Sequence, residues 1–193
     1  MLTDLACVVL AYLLGSLSFG ILLTRWRGGI DPRQSGSGSI GATNVARTLG
    51  KTAGLLTLLG DAAKGLIAVL LALWWGSSLL IVAYAALSAV LGHLYPIYHG
   101  FRGGKGVATA LGVLLPILPL PLLGGCLIWL VVVVIWRYVS AGSMLAALMV
   151  PILAALLTYP TPFIYAAAVI ALLVLYKHRE NMQRLLRGTE HRV

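Results

Sequence analysis

One segment near the middle of the chain combines a histidine with glycines and cations in the sequence HLYPIYHGFRGGKG, residues 93–106. Glycines allow several backbone N–H groups to converge on a phosphate, and a lysine among them adds a mobile positive charge. A helix predicted to begin near Val107 would place such a phosphate at its N-terminus, although the GxxxxGK[ST] spacing of a Walker A motif is absent. The candidate phosphate ligands are Gly103, Gly104, Lys105 and Gly106.

We define the Gly–Lys segment as residues 92–112. His93 lies at its start, and two interpretations of His93 remain open. A histidine at the end of an apolar helix is often structural. One that lies a short turn before a candidate ligand loop is also a candidate substrate-binding residue. We expect His99 to be structural.

A second candidate, the Ser–Gly segment, spans residues 35–50 and reads SGSGSIGATNVARTLG. Serines and glycines before a helix are typical of an anion site, and we expect a helix to begin near Ala42. Asn44 and Arg47 would lie one turn apart on one face of it. A flexible linker has a similar composition, so that alternative stays open. The candidate ligands here are Ser35, Ser37, Asn44 and Arg47.

A third candidate, the C-terminal basic segment, spans residues 177–191 and reads KHRENMQRLLRGTEH. A basic helix beside a membrane often binds anionic lipid, which is the simpler interpretation. The i,i+3 spacing also allows His178 and Asn181 to share one face, while Glu180 and Arg184 could pair at i,i+4. Gly188 is expected to end the helix. We expect Glu190 to hold a neighbouring arginine.

The elements that must position these segments are membrane helices. Of 193 residues, 60% are hydrophobic and only 10% are charged, and the mean hydropathy is +0.98. This composition predicts an all-α, polytopic integral membrane protein rather than a soluble domain or a nucleic-acid-binding protein. Asp4 and no cation precede the first apolar run, which favours a membrane helix over a cleaved signal peptide. We expect seven transmembrane helices, at residues 4–24, 53–75, 78–97, 106–121, 122–137, 141–158 and 162–177. The span at 106–121 is short and broken by Pro116, Pro119 and Pro121, and the alternative count of five treats it and its partner as one unit.

Lysines and arginines mark alternate connections between these spans. By the positive-inside rule the N-terminus lies outside and the C-terminus in the cytoplasm, and all three segments share the cytoplasmic face. The chain is therefore predicted to be a single domain, residues 1–193. Within the second span we expect Asp61 and Lys64 to pair, because isolated charges are costly there. No cluster of metal-ligating residues is present in the sequence, so we expect no metal and no cofactor.

The three segments together resemble a known family. The strings SGSGSIGATNVARTLGK, LGHLYPIYHGFRGGKGVATALG and HRENMQRLLRGTEHR are similar to the three cytoplasmic motifs of the bacterial membrane glycerol-3-phosphate acyltransferases that use acyl phosphate as donor. The resemblance covers the whole chain and keeps the motifs in order. It departs from the family pattern at Ser39, where Asn is usual.

The resemblance implies a reaction in phospholipid biosynthesis at the bacterial inner membrane. A fatty acyl group would pass from acyl phosphate to the sn-1 hydroxyl of glycerol 3-phosphate, giving lysophosphatidic acid and inorganic phosphate. The catalytic residues would be His178, Asn181, Arg47 and Ser37, and the substrate-binding residues Ser35, Asn44, His93, Gly103, Gly104, Lys105 and Gly106. The partners would be the two substrates and membrane lipid, with no nucleic acid.

The base for the attacking hydroxyl stays open between His178, His93 and a phosphate oxygen of a substrate. A histidine–aspartate HxxxxD dyad is absent from the sequence. A carrier or channel for a phosphorylated metabolite is the alternative, but it would need polar residues across the bilayer. A metal-dependent phosphatidyltransferase would need clustered aspartates, whereas the three aspartates of this chain are far apart in sequence.

Overall fold

The computed structural model describes residues 2–29 and 31–192, which are helical with connecting turns and contain no strand. They form two compact units, Met1–Pro116 and Ile117–Val193. The single-domain organisation stays a prediction, and we describe each unit by itself.

The described residues of the first unit form six α-helices, and this unit carries both the Ser–Gly and the Gly–Lys segments. Helix α1 packs on α5, and α4 packs on α1, α3, α5 and α6. The helices are α1 Leu2–Ser16, α2 Phe19–Trp26, α3 Ala42–Leu49, α4 Lys51–Trp75, α5 Leu79–Leu94 and α6 Val107–Leu114, with short 3₁₀ turns at Pro32–Gln34 and Ile97–His99. Helices α3 and α6 begin where the sequence predicts, which confirms both helix starts.

Helices α1 and α2 form one bent pair with an angle of 42°. Ser18 causes the break, because its backbone is extended and its side chain accepts the N–H of Ile21. In a continuous helix that N–H would bond to the carbonyl of Leu17. The break therefore leaves the Leu17 carbonyl in need of another donor inside an apolar environment.

Glycines allow the helices of the first unit to approach closely. A Cβ on Gly112 of α6 would lie 1.9 Å from the carbonyl oxygen of Ala62 on α4, and one on Gly15 of α1 would lie 2.0 Å from the carbonyl oxygen of Ala89 on α5. Lipid supplies little hydrophobic force between helices, so backbone-to-backbone packing of this kind is a main source of association energy. The Gly–Lys segment thus begins and ends on closely packed helices.

The second unit contains four helices and carries the C-terminal basic segment. They are α7 Pro119–Trp136, α8 Val139–Leu156, α9 Thr161–Lys177 and α10 Arg179–Leu186. Helix α7 packs on α8, and α8 packs on α9. The axes of α9 and α10 differ by 57°, so α10 turns away at His178.

The structure contains, in the described residues, four helices that are long and apolar enough to cross a membrane, or up to six if each bent pair is one span. Only 22% of the α7 window is buried, and exposed leucines and valines on it suit contact with lipid. The expected span at 106–121 instead contains α6, whose eight residues extend about 12 Å against a hydrocarbon core of about 30 Å. The count of seven spans is therefore not confirmed, whereas the all-α membrane fold is.

Candidate active site

Asn44 organises the Ser–Gly segment. It lies in the first turn of α3 and is 2% exposed. Its Nδ2 donates to the carbonyl oxygens of Pro32, Ser35 and Ser39 at 2.9, 3.0 and 2.8 Å, and its Oδ1 accepts the N–H of Ser37 at 2.8 Å. One amide thus holds four backbone groups in place, and the segment is an ordered loop rather than a linker.

Two glycines of this loop adopt conformations that favour glycine. Gly36 and Gly38 have φ of +59° and +69°, where a Cβ is strained. A Cβ on Gly36 would also lie 2.2 Å from Oδ1 of Asn44. Ser39, the departure from the family pattern, uses its Oγ locally to accept the N–H of Gly41 at 3.3 Å.

The predicted ligands of the Ser–Gly segment differ in accessibility. Ser37 and Arg47 are exposed, so both can reach an anion. The Oγ of Ser35 is buried and has no hydrogen-bond partner, which leaves its donor available. Asn44 and Arg47 both lie on α3. Backbone groups occupy the side chain of Asn44, so Arg47 is the member of this pair that can reach an anion.

Asp31 lies just before this loop, and the sequence did not single it out. Its carboxylate accepts from Nε and Nη2 of Arg33 and from the Arg33 N–H. The hydrogen bonds from the Arg33 side chain hold the pKa of Asp31 below its ordinary value. The pair fixes the 3₁₀ turn whose Pro32 carbonyl Asn44 binds. A sequence signal was present, since Asp before Pro commonly starts a turn.

The loop of the Gly–Lys segment is built against His93. The N–H of Gly104 donates to the His93 carbonyl at 3.2 Å, so this N–H is already used and does not fit the role of phosphate donor expected for it. Glycine at position 104 instead leaves space for the His93 ring, because a Cβ there would lie 2.4 Å from Nε2 of His93. Gly106, with φ of +85°, precedes α6.

His93 belongs to a buried polar cluster with Asp61 and Lys64. All three side chains are at most 3% exposed. Nζ of Lys64 lies 2.9 Å from Oδ1 of Asp61 and 3.0 Å from Nδ1 of His93. The pairing of Asp61 with Lys64 is confirmed. The participation of His93 was missed, because 29 residues separate it from Lys64 and no local pattern connects them.

Glu190 holds the C-terminal basic segment together. Its Oε1 accepts from Nδ2 of Asn181 at 2.7 Å and from Oγ of Ser140 at 2.9 Å, and its Oε2 accepts from Nε of Arg184 at 2.7 Å. The expectation that Glu190 holds an arginine is confirmed. The expected pairing of Arg184 with Glu180 is wrong, since Gly188, with φ of +68°, ends the helix as predicted and turns the chain back toward Arg184.

The charge state of Glu190 follows from these contacts. Burial by itself would raise the pKa of the carboxyl. Hydrogen bonds from Asn181, Arg184 and Ser140 favour the carboxylate more strongly, and the pKa of Glu190 lies below its ordinary value. The group is therefore ionised at neutral pH and orients Asn181.

His178 is 3% exposed and lies at the bend between α9 and α10. Its Nδ1 is 2.8 Å from the carbonyl oxygen of Val174. A carbonyl only accepts hydrogen bonds, so Nδ1 carries the proton and the neutral ring has its lone pair on Nε2. This tautomer is the one that a base acting through Nε2 requires.

The fold and these loops define an integral membrane enzyme with sites suited to anions. A family model described as glycerol-3-phosphate acyltransferase matches residues 5–188. A relative of that name from Geobacter sulfurreducens is 48% identical over 192 residues, covering 100% of this chain and 98% of its own. One from Thioalkalivibrio sulfidiphilus is 49% identical, covering 100% and 95%. The chain belongs to the glycerol-3-phosphate acyltransferase family and is an acyltransferase.

Two solved structures show the same fold. A crystal structure of PlsY (YgiH), described as an integral membrane glycerol 3-phosphate acyltransferase in its glycerol 3-phosphate form, matches with a TM-score of 0.93 at 44% identity, covering 98% of this chain and 95% of that one. Its lysophosphatidic acid form matches with a TM-score of 0.91 at 43% identity, covering 98% and 94%. The resemblance inferred from the three segments is confirmed at the level of family.

Proposed function

We propose that this chain transfers a fatty acyl group from acyl phosphate to the sn-1 hydroxyl of glycerol 3-phosphate, giving lysophosphatidic acid and inorganic phosphate. One observation supports glycerol 3-phosphate as the acyl acceptor. The matching crystal structures are described as a glycerol 3-phosphate form and a lysophosphatidic acid form. The two molecules differ by one acyl group, so acylation converts the first into the second.

Acyl phosphate as donor is supported by the chemistry that the chain offers. An acyl phosphate is a mixed anhydride and is already activated, so it needs no covalent intermediate on the enzyme. Cys7 lies within α1 and Cys126 within α7, outside the Ser–Gly, Gly–Lys and C-terminal basic segments, so neither is assigned as a nucleophile. Direct transfer between two phosphate-bearing substrates fits a chain that is rich in cationic loops.

We assign the phosphate of glycerol 3-phosphate to Lys105 and the N–H groups of Gly103 and Gly106. Ser35, Ser37 and Arg47 are assigned to the acyl phosphate, with Asn44 shaping their loop. His178 and Asn181 are assigned to the transfer step, as the family resemblance implies. Cations and N–H groups that are already oriented stabilise charge without reorganisation, which is often the largest catalytic term.

In the proposed reaction the sn-1 oxygen attacks the acyl carbonyl carbon. The new ester C–O bond forms, the C–O bond to phosphate breaks, and the phosphate leaves with its electron pair. The hydroxyl proton passes to a base or to a phosphate oxygen. Holding both substrates in register contributes through proximity.

We propose the cytoplasmic face of the bacterial inner membrane as the location of the site. The support is the charge pattern: the three segments and the connection at Arg137 carry lysines or arginines, whereas the alternate connections at residues 76–78, 118–120 and 159–162 carry none. A cytoplasmic site would also meet glycerol 3-phosphate in the compartment where metabolites are made.

The test is release of inorganic phosphate by purified protein in detergent, given palmitoyl phosphate with and without glycerol 3-phosphate and with no added metal. We expect release that depends on glycerol 3-phosphate. Lys105→Ala should lower kcat/KM about 100-fold, the effect of losing a hydrogen bond to a charged group. The matched control is Lys51→Ala, which removes an exposed cation and should retain activity.

The other outcomes separate the alternatives. Turnover with acyl-CoA but not with acyl phosphate would keep the reaction and refute the donor. If neither donor supports turnover and proteoliposomes containing the protein take up glycerol 3-phosphate, the result would support the alternative function as a carrier. Family membership makes the carrier the weaker candidate.

A further inference from the structure

Asp61 and Lys64 have no role in the reaction assigned above, and with His93 they form a cluster that joins four elements of the first unit. Nζ of Lys64 donates to the carbonyl of Leu17, the group released by the break between α1 and α2. The backbone of Phe19, the first residue of α2, hydrogen bonds to the Asp61 carboxylate. Ionisable residues buried at membrane depth are costly, so their presence points to a function.

Contacts within this cluster favour the carboxylate form of Asp61 against the cost of burial. Lys64 supplies the countercharge at 2.9 Å, and the positive end of α2 adds to it. The Oδ1 atom of Asp61 has no aligned hydrogen-bond donor, so its contact with Lys64 is electrostatic. An anionic Asp61 in turn requires Lys64 to be an ammonium group.

An ammonium group only donates hydrogen bonds. Of the hydrogens on Lys64, one is directed at the Leu17 carbonyl and another at Nδ1 of His93. Oδ1 of Asp61 is farther from Nδ1, at 3.7 Å, than the ammonium group at 3.0 Å. The nearer contact favours a lone pair on Nδ1. A ring protonated at Nδ1 would direct a hydrogen at the ammonium 3.0 Å away. The proton of the neutral ring consequently lies on Nε2.

Nε2 of His93 faces the Gly–Lys segment, since a Cβ on Gly104 would lie only 2.4 Å from it. We propose that Lys64 and Asp61 are positioning residues that lock His93 as the Nε2–H tautomer, so that His93 offers a hydrogen-bond donor to the phosphate bound at residues 103–106 and does not act as a base. The inference rests on the proposed function only for the identity of that phosphate.

The structure thus holds two buried histidines in opposite tautomers. His178 has its proton on Nδ1, which faces the Val174 carbonyl, whereas His93 has its proton on Nε2. Of the two histidine candidates for the base, only His178 keeps a lone pair on Nε2. The remaining candidates for the base that accepts the hydroxyl proton are therefore His178 and a phosphate oxygen of a substrate.

The first test reads the tautomers directly. In ¹⁵N-histidine-labelled protein, NMR distinguishes protonated from unprotonated ring nitrogens, and His93→Gln identifies the His93 signals. We expect an unprotonated Nδ1 for His93 and a protonated Nδ1 for His178. The double variant Asp61→Asn with Lys64→Met removes both buried charges and leaves neither unpaired. It should change the His93 signals alone, whereas the matched control Lys51→Met should change none.

The second test separates a donor from a base. Glutamine places an N–H near the position of Nε2, and asparagine places one near Nδ1. His93→Gln should keep KM for glycerol 3-phosphate within about threefold, whereas His93→Asn should raise it about tenfold, because a hydrogen bond to a charged group is lost. Loss of kcat in both variants with KM unchanged would identify His93 as a base and overturn the proposal.

The two proposals fail separately. A protonated Nδ1 on His93 in the native protein, or unchanged His93 signals in the double variant, would refute the positioning role even in an active enzyme. Absence of transfer from acyl phosphate by a native protein with the expected His93 tautomer would refute only the proposed donor, since the tautomer is measured without substrate.

Discussion

Asn44 shows how a single side chain can determine the shape of a loop. Its side chain satisfies four backbone groups of the Ser–Gly segment. Asn44→Asp keeps the shape but removes the donors and sets a carboxylate against carbonyl oxygens. We expect a loss of about 1–3 kcal/mol in unfolding free energy and at least a 100-fold loss of activity.

Thermal unfolding in detergent and the phosphate-release assay measure these two effects of Asn44→Asp. The control is Thr43→Ala at an exposed position of the same helix. An Asn44→Asp variant with native stability and activity would refute the organising role.

The glycines beside His93 give a second prediction at this scale. A Cβ on Gly103 would lie 2.0 Å from the carbonyl oxygen of His93, and backbone cannot move aside easily. Gly103→Ala should therefore raise KM for glycerol 3-phosphate more than tenfold. Gly41→Ala, where the nearest atom is 3.5 Å from the Cβ, should change KM little. Equal effects of both would contradict the steric argument.

At the scale of elements, Glu190 ties α10 to α8 through Arg184, Asn181 and Ser140. Its pKa is lower in the folded protein, so the unfolded state binds the proton more strongly. The stabilisation is therefore complete above the ordinary glutamate pKa of about 4.3 and is lost as the pH falls through the lower folded value.

The melting temperature of the protein in detergent between about pH 6 and pH 3 tests this contribution. The native protein should lose stability on acidification more steeply than Glu190→Gln. The matched control is Glu180→Gln, at an exposed carboxylate, which should follow the native curve. A Glu190→Gln curve parallel to the native one would show that the carboxylate contributes no pH-dependent stability.

The crossing of α4 and α6 gives another prediction at this scale, because α6 follows the Gly–Lys loop directly. Gly112→Ala would place a Cβ 1.9 Å from the Ala62 carbonyl oxygen, so the helices must separate. We expect a markedly lower melting temperature and lower activity. Gly124→Ala on α7 is the control, since the nearest atom there is the flexible end of Leu153. Equal melting temperatures would refute close packing at this crossing.

At the scale of the whole molecule, the charge pattern predicts that all cationic connections share one side of the membrane. Single cysteines replace Lys51, Arg102 and Arg187, all exposed, in a background without the two native cysteines. An impermeant thiol reagent should label them only in inside-out vesicles. A cysteine at Ser77, in a connection without cations, should be labelled only in right-side-out vesicles. Labelling of the three cationic positions from different sides would refute the topology.

Several features of this protein could be predicted from short stretches of its sequence. Long apolar runs imply membrane helices because unpaired backbone groups cannot face lipid, and the starts of α3 and α6 follow from glycines that precede them. The ordered segments indicated the family, and the pairing of Asp61 with Lys64 follows from their i,i+3 spacing. These are consequences of neighbours in the chain, and they needed no knowledge of the fold.

Tertiary structure decided the contacts between residues far apart in sequence. Arg184 pairs with Glu190 rather than Glu180 because the turn at Gly188 brings the chain back. The contact between Lys64 and His93 exists only because α4 and α5 pack together and α1 breaks at Ser18. Hydrogen bonds of this kind act over about 3 Å in space, and this distance cannot be inferred from the number of residues that separate the partners in the sequence.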